Sequence, residues 1–158
     1  MNYHRDEDYI KNESTFRNIF RKRFNLISSY HLRGGTVLDI GCSNGVFLDL
    51  FAGSETWGVE PSGSGDVAEK KGHKILKSAF EKAILPKDYF NLVVLNHTLE
   101  HMDNPKLVLK KINTLLKKGG IVFIDVPNFG SLSSKILGKK WPYLLPEEHK
   151  SQFTKESL

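Results

Sequence analysis

Acidic and polar side chains follow several short apolar runs in this sequence, and these are the residues that could do chemistry. Asp39 lies one residue before the end of TVLDI, Glu60 closes TWGVE, and Asn96, which His97 follows, closes FNLVVLN. Carboxylate and amide groups at such positions can accept or donate hydrogen bonds to a polar ligand. Because strand ends of one parallel sheet meet at one edge, we expect a single site there. Ser78, Asp125 and Asn128 follow apolar runs in the same way.

The segment GCSNG places Gly41 directly after the first run and Gly45 four residues later. Glycine permits a positive φ and a close approach of ligand to backbone, but this pattern alone also fits a plain turn between a strand and a helix. Glu60 lies about twenty residues further on, where a carboxylate can accept both hydroxyls of a ribose, so the pair favours an adenosine-containing ligand. Ser43 and Val46 stand where a dinucleotide fingerprint needs glycines.

Strand-like and helix-like patterns alternate along the chain and predict an α/β fold with a doubly wound, mostly parallel sheet. A helix of amphipathic spacing over residues 12 to 31 precedes this alternation. The predicted strands are TVLDI, TWGVE, HKIL, YFNLVVLN and IVFIDV, and the other predicted helices span about residues 44–51, 66–72 and 105–117.

Composition narrows the class of protein. The chain has 158 residues, 39% of them hydrophobic, which suits one core. The net charge of +5 comes from scattered lysine pairs, which does not favour nucleic acid as a partner. Cys42 is the only cysteine, so we expect no disulfide and no metal site. Apolar runs are too short for a membrane span, and the polar N-terminus resembles no signal peptide, so the cytoplasm is the expected location.

Three longer segments resemble class I S-adenosylmethionine-dependent methyltransferases: VLDIGCSNGVFLDLF, WGVEPS and FNLVVLNHTLEHMDNPKLVLKKINTLLKKGGIVFIDVPN. The later part is most similar to small-molecule O- and C-methyltransferases of the ubiquinone-biosynthesis type, and LEHMDNP with LLKKGG is its most specific feature. The resemblance spans about residues 37–158. It implies a Rossmann-like sheet with about five of the family's seven strands, and S-adenosyl-L-methionine as the cofactor.

The resemblance also implies a set of cofactor contacts. Asp39, Gly41, Cys42 and Gly45 would hold the methionine part and Glu60 the ribose, while Ser78, Ala79 and Phe80 would lie beside the adenine, and Asn96 and His97 near the sulfonium. The chain departs from the family pattern at Ser43, where a glycine is common, and after the third strand, where no acid follows Lys77.

Methyl transfer to a hydroxyl would use a base, and histidine suits neutral pH. His97, His101 in LEH and His149 in PEEHKSQFT are the candidates, and His149 is the best of them for that base or for an acceptor ligand. Trp141, Tyr143 and Phe129 are candidates for the walls of an apolar acceptor site. Two alternatives stay open, a catalytically inactive scaffold subunit and, less favoured, an RNA methyltransferase.

The predicted organisation has three parts: an N-terminal helical segment (1–34), a cofactor-binding core (35–128) and a lid on the acceptor side (129–158). Members of the resembling family continue beyond FTKESL with a helix and two strands, so we expect an incomplete C-terminus. The edge of strand 121–126 would then be unpaired, which predicts possible self-association through it.

Overall fold

A computed structural model describes residues 13–30 and 34–158 and confirms an α/β fold with five strands. The described chain also contains three short 3-10 turns, Leu48–Leu50, Leu99–His101 and Gly138–Lys140. Within the described chain, no helix has the length and apolar character that crossing a membrane requires. The helices are α1 (Glu13–Ser28), α2 (Gly65–Lys70), α3 (Pro105–Leu115) and α4 (Leu132–Leu137), and the strands are β1 (Thr36–Ile40), β2 (Glu55–Val59), β3 (Lys74–Leu76), β4 (Phe90–Asn96) and β5 (Leu116–Asp125).

The five strands form one parallel sheet in the order β3-β2-β1-β4-β5. The order changes direction at β1, whose residue Asp39 is paired with Gly58 of β2 on one side and with Val94 of β4 on the other. In doubly wound sheets a crevice opens beyond the carboxyl ends of the strands at this switch point. The polar residues after β1, β2 and β4 are therefore brought to one edge of the sheet, as predicted.

Two apolar clusters cover the two faces of the sheet. One joins β1 and β4 to the apolar side of α3, through Val108, Ile112 and Leu115. The other joins the same strands to α1 and to the segment after β1. Because β1 and β4 contribute to both clusters, their residues are almost all buried, which is why each appears in the sequence as a continuous apolar run.

The predicted N-terminal helix is present as α1, which ends at Ser28, and residues 12 and 31 of the predicted range lie outside the described part of the chain. Phe20 packs edge-to-face on Phe47, with ring centroids 5.3 Å apart, and Phe24 does the same on Phe51 at 5.0 Å. Helix α1 is thus fastened to the segment that follows β1.

The α-helix predicted from residue 44 to residue 51 is wrong. This segment contains only the 3-10 turn Leu48–Leu50. Ser43 and Gly45 have φ values of +46° and +77°, which place the backbone in the left-handed region and prevent a regular helix from starting there. A regular helix starting there would present a row of free N–H groups at the end of β1, and this turn does not provide that row.

Strand β5 starts earlier than predicted, because α3 ends at Leu115 and β5 begins at Leu116. The register between β4 and β5 shifts, because Phe90 pairs with Leu116 but Leu92 pairs with Ile121. Gly119, with φ +78°, lies in the irregular part of β5 between these two pairs. Among the described strands, β5 pairs on one side only. Self-association through this edge stays a prediction.

Candidate functional site

The carboxyl group of Asp39 lies buried at the end of β1. The residue is 2% exposed, and Oδ1 has no hydrogen-bond partner among the described residues. Burial, and next the nearby charge of Glu60, raises the pKa of Asp39 well above its usual value. Buried polar atoms of folded proteins are usually hydrogen-bonded, so this atom is one that a ligand could satisfy.

Gly41 and Gly45 are required by packing as well as by backbone conformation. Both have φ +77°. A Cβ atom at Gly41 would lie 2.7 Å from Oγ1 of Thr98, and one at Gly45 would lie 2.9 Å from Cβ of Ala68. The turn is thus compressed between the start of α2 and the segment after β4, so the glycines by themselves do not demonstrate a ligand.

Glu60 connects the turns that follow β1 and β2. Its Oε2 accepts a hydrogen bond from the backbone N–H of Ser43 at 3.0 Å, and its Oε1 accepts one from the N–H of Ser62 at 2.9 Å. The residue is 7% exposed. Each carboxylate oxygen has a second lone pair, so the contact with ribose hydroxyls stays a prediction that this geometry permits.

Asn96 and His97 lie at the end of β4. The side-chain nitrogen and oxygen of Asn96 are buried, and neither has a partner in the described part of the chain. His97 has φ +49°, and its backbone N–H donates to the carbonyl of Asp125 at 2.8 Å. Its Nε2 lies 3.2 Å from Nη2 of Arg23, and its ring stacks on Tyr143 with centroids 6.1 Å apart.

Arg23 is a site residue that the sequence analysis missed. It extends from α1 to form an ion pair with Asp125 at the end of β5, and it also contacts His97. The apolar spacing of α1 predicts which face is buried but not which cation reaches the strand ends. Asp125 was the available signal in the sequence, because an acid at a strand end is often paired with a basic side chain.

Two predicted cofactor residues turn their side chains into the protein. Cys42 is 5% exposed, and burial raises the pKa of its thiol. Phe80 packs in the core, where Nζ of Lys111 lies 4.6 Å from its ring centroid. A ligand could therefore reach either residue only through the backbone. Ser78 is half-buried and Ala79 exposed, so their contact with an adenine stays a prediction.

Glu100, His101 and His149 come together beside this site. One ligand-type atom from each lies within 4.8 Å of the others, and we call them the Glu-His-His cluster. The two imidazole rings meet edge-to-face with centroids 4.8 Å apart. Burial, and next the charge of His101, lowers the pKa of His149. The sequence named both histidines as separate candidates for a base, missed Glu100, and predicted no metal site.

Comparison with known proteins extends these observations. A family model described as a methyltransferase domain matches residues 11–158. A ubiquinone biosynthesis O-methyltransferase of Coxiella burnetii is 30% identical over 128 residues, which cover 73% of this chain and 55% of that protein. An uncharacterized protein of Methanocaldococcus jannaschii is 28% identical over 128 residues, or 80% of this chain and 58% of that protein. The chain spans about half the length of these curated relatives.

Solved structures show the same architecture. A SAM-dependent methyltransferase from Archaeoglobus fulgidus is 29% identical, with a TM-score of 0.71 over 94% of this chain and 69% of that chain. A SAM-dependent methyltransferase from Thermotoga maritima, a possible histamine N-methyltransferase, shares the fold at 24% identity, with a TM-score of 0.70 over 98% of this chain and 75% of that chain. Since the family model matches nearly the whole chain, this protein belongs to the methyltransferase-domain family.

Proposed function

We propose that this chain binds S-adenosylmethionine at the carboxyl ends of β1, β2 and β4 and transfers its methyl group to an oxygen or carbon atom of a small molecule. The observation that carries the proposal is the pair of buried, unpartnered polar groups at the switch point of the sheet, on Asp39 and Asn96. They lie on the two adjacent strands β1 and β4, at the edge where such folds bind ligands. Membership of the methyltransferase-domain family supports the choice of ligand.

The residues at this edge fit the polar parts of S-adenosylmethionine. Asp39 would bind the methionine ammonium, because a carboxylate there gains a positive partner that offsets the cost of its burial. Asn96 offers both a donor and an acceptor. The carboxylate of Glu60 is oriented by two backbone N–H groups, so a ribose would meet it already in position.

An aromatic row supports the choice of a small, partly apolar acceptor. The ring centroids of Phe129 and Trp141 are 6.1 Å apart, those of Trp141 and Tyr143 are 5.5 Å apart, and Tyr143 stacks on His97. Phe129 and Tyr143 remain 44% and 41% exposed. Aromatic walls with a few polar groups at one end are typical of small-molecule sites.

The cofactor supplies an electrophilic methyl group when it is bound. The chain then has to align the acceptor and exclude water, which can contribute most of the rate acceleration. Arg23 and Tyr143 cover the end of β4 from two different segments, and they would perform that task. A hydroxyl acceptor would also have to lose a proton.

The prediction that His149 or His101 accepts this proton remains open. His149 is 8% exposed, so an acceptor could reach it only after the atoms that cover it move. Unchanged turnover in His149→Ala, with cofactor binding intact, would exclude His149 as the base.

The proposal is tested by incubating the chain with S-adenosylmethionine and a panel of catechols, other phenols and RNA transcripts, and by measuring S-adenosylhomocysteine. We expect product with a phenolic acceptor, reduced at least about tenfold by Tyr143→Ala. Tyr30→Ala is the matched control, because Tyr30 is exposed at the far end of α1 and should leave turnover unchanged. Cofactor binding without product would favour a scaffold role, and product with RNA alone would replace the small-molecule acceptor.

A further inference from the structure

The Glu-His-His cluster joins two segments that are distant in sequence. Glu100 and His101 lie in the 3-10 turn after β4, and His149 lies in the C-terminal segment. We propose that this cluster is a binding site for one divalent transition-metal ion, with Zn²⁺ as the ion that fits it best. The inference does not depend on the proposed methyl transfer, because metal binding is measured directly.

The unpartnered atoms of the cluster are the first argument. Glu100 is 1% exposed, and neither of its carboxylate oxygens has a hydrogen bond within the described residues. Nδ1 of His149 is also buried, with no partner there. Oε1 of Glu100 lies 3.4 Å from Nδ1 of His97, a long contact that leaves a buried carboxylate poorly satisfied, which is unfavourable. A bound cation would compensate the charge of Glu100 and satisfy Nδ1 of His149 at the same time.

The hydrogen bond of the His101 imidazole is the second argument. Nδ1 of His101 lies 2.9 Å from the carbonyl oxygen of Glu148, which selects the tautomer with the lone pair on Nε2. Histidines that bind metals usually donate their other ring N–H to a carbonyl in this way.

The choice of ion follows from the donor set. Two imidazole nitrogens and one carboxylate oxygen form the set found in several catalytic zinc sites, and they suit transition metals better than Mg²⁺ or Ca²⁺. Ligand atoms around a tetrahedral zinc ion lie about 3.4 Å apart, so the cluster, now within 4.8 Å, must contract by somewhat more than an ångström on binding.

Metal binding and base catalysis exclude each other at this cluster, because each needs the same imidazole lone pairs. With zinc bound, His149 would connect the C-terminal segment to the turn after β4 instead of accepting a proton. The ion would then fix the segment that carries Tyr143 over the end of β4.

The test is a calorimetric titration of the whole chain with Zn²⁺ after removal of metal by a chelator, followed by loading with Co²⁺. We expect one tight site per chain and a visible cobalt spectrum of the intense, four-coordinate type. Glu100→Gln and His149→Gln should each weaken zinc binding by at least about tenfold. Glu147→Gln is the matched control, because this exposed carboxylate lies two residues from His149 and should leave the affinity unchanged.

Two results would overturn the proposal. One is a wild-type chain that shows no tight zinc site, and the other is a His149→Gln variant that binds zinc as the wild type does. If Glu100→Gln fails to fold, the wild-type titration, its cobalt spectrum and the His149→Gln variant still decide the question.

Discussion

Glu60 and Glu100 are both buried glutamates near the ends of strands, yet their surroundings are opposite. Glu60 is 7% exposed, and both of its oxygens accept backbone hydrogen bonds. Glu100 is 1% exposed, and neither of its oxygens has a hydrogen bond in the described part of the chain. Burial is therefore not what distinguishes a carboxylate that the fold hydrogen-bonds from one that it does not. The difference lies in whether the fold itself supplies the partners.

The largest expected change in stability comes from removing the hydrogen-bonded carboxylate of Glu60. Glu60→Ala deletes two hydrogen bonds to a charged acceptor and leaves the N–H groups of Ser43 and Ser62 without it, so the free energy of unfolding should fall by about 3 kcal/mol. Urea unfolding measures this change. Glu69→Ala, at an exposed glutamate of α2, should change stability by less than about 0.5 kcal/mol. A loss below about 1 kcal/mol in Glu60→Ala would show that its bonds do not stabilise the turns.

Asp39 resembles Glu100, because its buried Oδ1 also has no hydrogen-bond partner among the described residues. The pH dependence of stability should show the cost of burying this carboxylate. Burial raises the pKa of Asp39 in the folded chain, so the folded state binds the proton more tightly than the unfolded state does. Stability should consequently fall as pH rises from the ordinary value of 3.8 through the raised pKa. Asp39→Asn should remove that slope and raise the free energy of unfolding at neutral pH. Urea unfolding across the pH range measures this slope. A variant whose free energy of unfolding depends on pH as in the wild type would contradict the prediction.

Glu100→Gln should behave unlike Glu60→Ala. In the metal-free chain the variant weakens only the 3.4 Å contact with Nδ1 of His97 among the described residues, and it removes a buried charge. The free energy of unfolding should therefore stay within about 1 kcal/mol of wild type or rise. The same variant should lose zinc binding. A decrease of 2 kcal/mol or more in urea unfolding of the metal-free variant would mean that the carboxylate is structural after all.

The smallest change in stability is expected from Ser43→Gly, in the turn whose backbone donates to Glu60. Ser43 has φ +46°, which strains a residue with a Cβ atom, and its backbone N–H would still reach Glu60 in a glycine variant. Ser43→Gly should therefore raise the thermal midpoint slightly, corresponding to about 0.5 kcal/mol after the entropy cost of glycine. A clear loss of stability would show that the serine side chain is needed in this turn.

The sheet and its polar edge could be predicted from the sequence because both depend on local patterns. Strands β1 and β4 are buried on both faces and so appear as apolar runs, and the residue after each run marks its end. Contacts between distant segments could not be predicted. Arg23 meets Asp125 across 102 positions, and Glu100 meets His149 only once the C-terminal segment has folded back. The wrong helix over 44–51 failed for a local reason, the left-handed backbone at Gly45.

Calorimetric titration with S-adenosylmethionine and S-adenosylhomocysteine tests the central claim most directly. The account predicts one binding site per chain, weakened at least about tenfold, or 1.4 kcal/mol, by Asp39→Asn. Asp66→Asn, at an exposed carboxylate on α2, should leave the affinity unchanged. A wild-type chain that binds neither compound, or an Asp39→Asn variant that binds both as tightly as the wild type, would contradict the assignment of the strand-end site.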